Sequence, residues 1–174
     1  MPSSLLHFSE DPNIGVFKPH IAPTSVETEA LVWAVDEAHQ PAYWFPRDCP
    51  RACCWDDGTP VSEAGLALIG TSAAKRMHAI ENAWLERVRA CRLFVYRFDP
   101  KPFVLHDAPG GFWVSRETVE PLSVEPVGDL MTRHGQAGIE LRVVEDFWPI
   151  YDAILRSGLG FSIIRRRNAR PRAS

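Results

Sequence analysis

At 174 residues, 45% hydrophobic and 24% charged, the chain has ordinary globular proportions and is long enough to bury most of its apolar surface in one core. A formal charge of -3 supplies no basic field for recruiting a phosphate backbone, so a nucleic-acid partner is disfavoured. No run approaches the roughly 18 apolar residues of a membrane-spanning helix, and MPSSLLHFSED lacks the basic and apolar regions of a secretory signal. The expectation is a cytoplasmic protein whose four cysteines stay reduced.

In chain order, Leu5 to Phe8 predicts a first strand, ended by the turn residues Asp11, Pro12 and Asn13. Leu31 to Val35 is a continuous apolar run rich in β-formers and reads as a buried strand. Asp36 then serves as an N-cap for about two helical turns, which Pro46 ends. Residues 71–90 predict the one long helix, because Ala73, Met77, Ile80, Trp84 and Val88 recur at spacings of three and four.

Arg92 to Phe98 predicts a strong strand, followed by a β-like FVLH, the turn DAPGG, and FWVSRETVEPLSVEPV as strand, turn and strand. Ile139 to Val144 is a further strand, and Phe147 to Leu155 a short helix that tolerates Pro149 in its first turn. Strands thus enclose one long helix and flank shorter ones without βαβ alternation, which predicts an α+β fold. Residues 1–164 read as one domain and 165–174, with five arginines, as a basic, flexible tail.

The cysteines of CPRACC, Cys49, Cys53 and Cys54, lack the two CxxC-like pairs of a structural zinc site, even with His39 added as a fourth ligand. Packing beside Trp55 is the preferred reading, and no metal is expected. A cysteine nucleophile would need a base, and nothing local selects among His7, His20, His39, His78 and His106. His78 and Glu81, three apart on the predicted helix, share a face and read as a surface or capping pair. The absence of GxxxxGK[ST], GxGxxG after a strand, HExxH and GxSxG removes the usual support for P-loop, Rossmann, zincin and α/β-hydrolase chemistry.

Taken together, LLHFSED, VWAVDEAHQPAYWFPRDCPR, HAIENAWLERVRACRLFVYRF and GIELRVVEDFWPIYDAILRSGLGFSIIRRRNA resemble a bacterial family of uncharacterised domains across nearly the whole chain. More distantly, LLHF, LVWAVDEAHQPAYWF, and RLFVYRFDPKPF with FWVSRETVEPLSV are similar, in that order, to the motifs of small ADP-ribosyltransferase-like proteins such as rifampin ADP-ribosyltransferase. That resemblance implies a split β-sheet and NAD as a substrate, with ADP-ribose passing to a small molecule or macromolecule. His7 would contact a ribose, Trp33 would stack on nicotinamide with Tyr43 as a nearby alternative, and Asp107 or Glu117 would be the acid. Such a pocket must favour an oxocarbenium-like transition state, which calls for an aromatic face, ribose partners and a carboxylate.

Two other functions compete. One is a non-catalytic ligand- or peptide-binding module whose aromatic pocket is built from Trp33, Tyr43, Trp44 and Trp113. The other is an RNA 2'-phosphotransferase-like activity, for which Arg47, Arg51 and Arg116 are the basic candidates.

Overall fold

A computed structural model describes residues 2–21, 28–70 and 72–172. Where the sequence reads one domain, the chain divides into two compact units, Met1–Trp44 with Arg92–Val127, and Phe45–Cys91 with Gly128–Ser174. Each has its own sheet, and four α-helices are present among the described residues, so the protein is α+β.

The first unit is an antiparallel sheet of β1 (Leu5–Ser9), β2 (Val32–Val35), β5 (Phe94–Phe98), β6 (Val104–Asp107), β7 (Phe112–Ser115) and β8 (Ser123–Pro126). Their order is β6-β7-β2-β1-β5-β8. Leu5 lies opposite Phe98, His7 opposite Tyr96, and Ala34 opposite Trp113. Directly opposed residues share a face, so these side chains project to one side. There Leu5, Val32, Ala34, Tyr96, Phe98, Phe103 and Val119 form a core, against which Phe17 and Trp113 pack. After β2 comes a 3-10 helix over Gln40–Tyr43, shorter than the two turns expected, with Pro41 at its start.

The second unit is built on β3 (Arg51–Trp55), β4 (Arg76–Glu81), β9 (Glu140–Val144) and β10 (Gly160–Ile164), ordered β10-β3-β4-β9 with β4 and β9 parallel. Helices α1 (Glu63–Ile69) and α4 (Phe147–Leu155) cover one face, where Ala52, Cys54, Met77 and Ala79 meet Leu68, Ile69, Phe147 and Ile154. Ser62 caps α1 by accepting the Gly65 N–H at 3.1 Å, and Asp146 caps α4 by accepting that of Trp148 at 3.0 Å. The remaining helices are α2 (Leu85–Ala90) and α3 (Leu130–Gln136).

The long helix expected over 71–90 does not exist. Thr71 lies outside the described residues; beyond it, Arg76–Glu81 is strand β4, a 3-10 turn takes Asn82–Trp84, and α2 holds the rest. The spacing of Met77, Ile80, Trp84 and Val88 satisfies a helical period by coincidence. Met77 through Glu81 are all buried, because β4 is flanked by a strand on either side and covered on both faces, a setting that shows no alternation in sequence. Strand β3, helices α1 and α3, and strand β10 carried no expectation.

From Arg165 to Arg172 the arginine-rich end, expected as a flexible tail, makes defined contacts; residues 173–174 are not among those described. Asn168 donates to the Asp48 carbonyl at 2.8 Å, and the Trp148 indole N–H to the Arg170 carbonyl at 2.7 Å. The Arg170 N–H meets both oxygens of the Glu81 carboxylate, at 3.0 and 3.1 Å.

Met77 is fully buried in the core beneath α1 and α4. Met77→Ala is expected to cost about 2–4 kcal/mol, read as a lower urea midpoint with an unchanged slope.

Candidate functional site

The sheet register separates two residues expected to act together. Leu6 lies opposite Val35, and side chains alternate along a strand, so Trp33 shares the Leu6–Val35 face while His7 projects from the other. The neighbours agree. The His7 ring packs edge-on to Phe17 at 5.0 Å, on the side of Tyr96 and Phe98. The Trp33 ring meets His106 at 5.0 Å and Phe112 at 5.9 Å. What joins the two is backbone: His7 Nδ1–H donates to the Trp33 carbonyl at 3.1 Å. The ribose contact and the nicotinamide platform read from the sequence therefore do not converge.

Other residues do converge on the Trp33 face. Tyr43 lies 6.3 Å from both Phe8, which it stacks on, and Phe112, which it meets edge-on. Asp107 pairs with Phe112 across a β-bulge at Leu105/Asp107. Phe8, Trp33, Tyr43, Phe112 and Asp107 are all half-buried and His106 is exposed, so this aromatic group forms a partly exposed margin of the packed interior rather than part of the buried core. Edge-to-face pairs of this kind add about 0.5–1.5 kcal/mol each beyond the area they bury, which holds the rings in place.

Three expected members fall elsewhere. Trp113 packs with the Leu5 core on the opposite face. Trp44 is buried at the end of the 3-10 helix. Glu117 is exposed beyond β7, where its N–H donates to the Ser115 hydroxyl at 3.1 Å.

The loop after β2 contributes a residue the sequence did not select. Asp36 Oδ1 accepts both the His39 backbone N–H at 2.9 Å and its Nδ1–H at 2.7 Å, fixing the imidazole. The Asp36 N–H in turn donates to the Gly111 carbonyl at 3.0 Å, tying this loop to the β6–β7 turn. Gly111 has φ +67°, and a Cβ there would collide with the His39 ring; one on Gly110 would meet Asp107 and Phe112. The glycine pair thus lets His39 and Asp107 close in on the turn from its two ends. Asp36 and His39 precede the cysteine-rich stretch, and their i,i+3 spacing was the signal available.

In the second unit, Cys53 lies opposite His78, and both are buried. Burial pushes the thiols of Cys49 and Cys53 up to about 12 and that of Cys54 to about 11, so none is a ready nucleophile. Among the described residues, no group of three or more His, Cys, Asp or Glu is placed to hold a metal ion. Nor is any helix there long and apolar enough to cross a membrane.

His78 and Glu81 do not form the surface pair expected. On a strand, residues three apart face opposite sides, and both are buried. His78 instead bonds His134 of α3, with Nδ1 3.0 Å from Nε2. His134 Nδ1–H donates to the Leu130 carbonyl at 2.7 Å, so its Nε2 accepts from His78. Burial is the main cause holding both imidazoles below their ordinary pKa, reinforced at His78 by His134, Arg76 and Arg51.

For the phosphotransferase reading, Arg116 is engaged by a two-point ion pair with Glu29 at 2.6 and 2.9 Å. Arg51 is buried and donates to the Cys49 carbonyl at 3.1 Å.

Residues 6–169 match a family of unknown function, DUF6886. No curated protein and no solved structure matches the chain. The likeness to ADP-ribosyltransferases rests on the short motifs alone.

The buried imidazole pair sets a sign for acid sensitivity. The folded state holds both rings neutral, while the unfolded chain takes up protons near pH 6.5. Their contribution is fully present above that pH and is lost below it, at up to about 1.4 kcal/mol per pH unit for each ring. Urea midpoints measured between about pH 7 and 5 should fall steadily in the wild type. The slope should flatten in the His78→Gln/His134→Gln double variant.

Proposed function

The chain belongs to this family of unknown function, DUF6886, which assigns it no activity, and on the geometry of its first unit we propose that it binds a nucleotide through a flat ring at the aromatic margin. The observation that carries the reading is the group formed by Trp33, Tyr43, His106 and Phe112, half-buried to exposed, with Asp107 beside it. Half-exposed aromatics beside a few polar groups suit a planar ligand, which gains stacking area from the rings and orientation from the imidazole and carboxylate. NAD is the first ligand to test, because the motif order resembles proteins that use it and because nicotinamide is a cationic ring suited to an aromatic face.

Binding is favoured over transfer. An ADP-ribosyltransferase-like fold would ask His7 and Trp33 to line one pocket, and the β1–β2 register turns them apart. The pairing of Asp107 with Phe112 supports Asp107 over the exposed Glu117 as the carboxylate of this reading. Four free thiols suit a cytoplasmic setting.

Calorimetry with NAD, paired with intrinsic tryptophan fluorescence, tests the proposal. Trp33→Ala is expected to weaken binding at least tenfold, about 1.4 kcal/mol, while His7→Ala leaves it within twofold. No heat and no fluorescence change at millimolar NAD would overturn it.

A further inference from the structure

We propose that the arginine-rich segment Arg165–Arg172 is an exchangeable arm: two copies of this protein pair by each placing its arm in the groove that the other copy's arm would fill, with Arg165 as the hinge.

The groove lies at one end of the second sheet. Strand β10 ends at Ile164, opposite Arg51 at the start of β3; Arg51 lies opposite Ile80 near the end of β4, and Ile80 opposite Val143 near the end of β9. From Ile164 the arm crosses these strand ends. The Asn168 side-chain N–H donates to the Asp48 carbonyl ahead of β3 at 2.8 Å, the Arg170 backbone N–H meets both Glu81 carboxylate oxygens at the end of β4, and the Arg170 guanidinium reaches Glu145 beyond β9 at 3.4 Å. Helix α4 receives the flanking arginines. Arg166 lies 5.9 Å over the Tyr151 ring and donates to its hydroxyl at 2.7 Å, while Arg172 lies 5.4 Å over Trp148 and pairs with Asp152. Acidic and aromatic groups thus meet cationic ones along the whole arm, and an identical segment from a second copy meets identical partners.

The arm is built to leave and to be replaced. Its arginines at 166, 167, 170 and 172 are exposed, and exposed ion pairs hold weakly one by one. Ala169 packs on the apolar cluster beneath α1 and α4, so departure uncovers little of the core. Glu81 is buried, however, and an empty groove strips its carboxylate of two charge-assisted hydrogen bonds. Another copy's arm restores them with the same geometry.

Arg165 decides between the two arrangements. It has φ +57° and ψ 26°, the one non-glycine residue with positive φ among those described. This left-handed conformation is unfavourable for any residue with a Cβ, and here it makes the turn that sends the chain from β10 back over its own sheet end. An extended hinge releases that strain and carries the arm away from its own groove. Exchanging an identical element regains every contact it loses, so the balance falls on the hinge, and two hinges relax in each dimer.

Sedimentation velocity of the full chain between about 10 μM and about 1 mM reads the association constant. The expected result is a reversible dimer. Arg165→Gly and Arg165→Ala differ only in the Cβ, so the glycine variant, which adopts the left-handed turn freely, should associate at least about tenfold more weakly than the alanine variant. Arg165→Pro, whose ring fixes φ near about -65°, should associate at least about tenfold more tightly than wild type. In an equimolar mixture of isotopically labelled and unlabelled copies, isotope-filtered NMR should show contacts from the arm of one copy to the Trp148 ring of the other. A wild type that stays monomeric at about 1 mM overturns the proposal. Equal association of the glycine and alanine variants overturns it too, because an ordinary surface contact ignores the hinge, as do arm-to-Trp148 contacts confined within single copies. The glycine and alanine comparison stands independently of whether the proline variant folds.

Discussion

Strict alternation of side chains along a strand decides what each part of this protein can do. In the first unit, the pairing of Leu6 with Val35 commits Leu5, His7 and Ala34 to one face and Leu6, Phe8 and Trp33 to the other. A shift of one residue would exchange the two sets, burying an indole among Tyr96 and Phe98 and turning an imidazole outward. Leu5 and Leu6 are both buried, so the sheet has an apolar demand on each face and the register is tightly held. The aromatic margin is a consequence of that choice.

The same constraint acts on β4. His78 lies opposite Cys53 and reaches His134, while Met77 and Ala79 enter the core under α1 and α4. A polar pair on one face and an apolar layer on the other are obtained from consecutive residues. The imidazoles are kept neutral by burial and by neighbouring positive charge, so their bond is a neutral one whose cost appears only when protons become available. The same burial pushes the nearby thiols up, and Cys54 packs in the core beneath α1 and α4.

In the loop after β2, within the first unit, polar groups are only half-buried. Asp36 there performs two tasks, accepting a backbone N–H and an imidazole N–H with one oxygen. The β6–β7 turn closes on it because two glycines allow backbone to approach where a Cβ would not fit.

The sequence by itself determined the α+β class, strands at Leu5, Val32, Phe94, Phe112 and Glu140, and the helix Phe147–Leu155, because each carries a local signal: a β-branched or aromatic run, or a turn that bounds it. It also named Trp33, Tyr43 and Asp107, each of which the structure sets against Phe112. It misassigned Arg76–Glu81, since a strand buried on both faces has no period of two to display and a chance spacing of three and four filled the gap. Only the tertiary structure decided that His7 and Trp33 part company, that Glu117 and Trp113 lie elsewhere, and that Asp36, His39, Asp107 and Phe112 gather at one turn. The physical reason is that face and neighbourhood are properties of strand register, which is set by pairing between segments distant in the chain and leaves no mark in either segment alone.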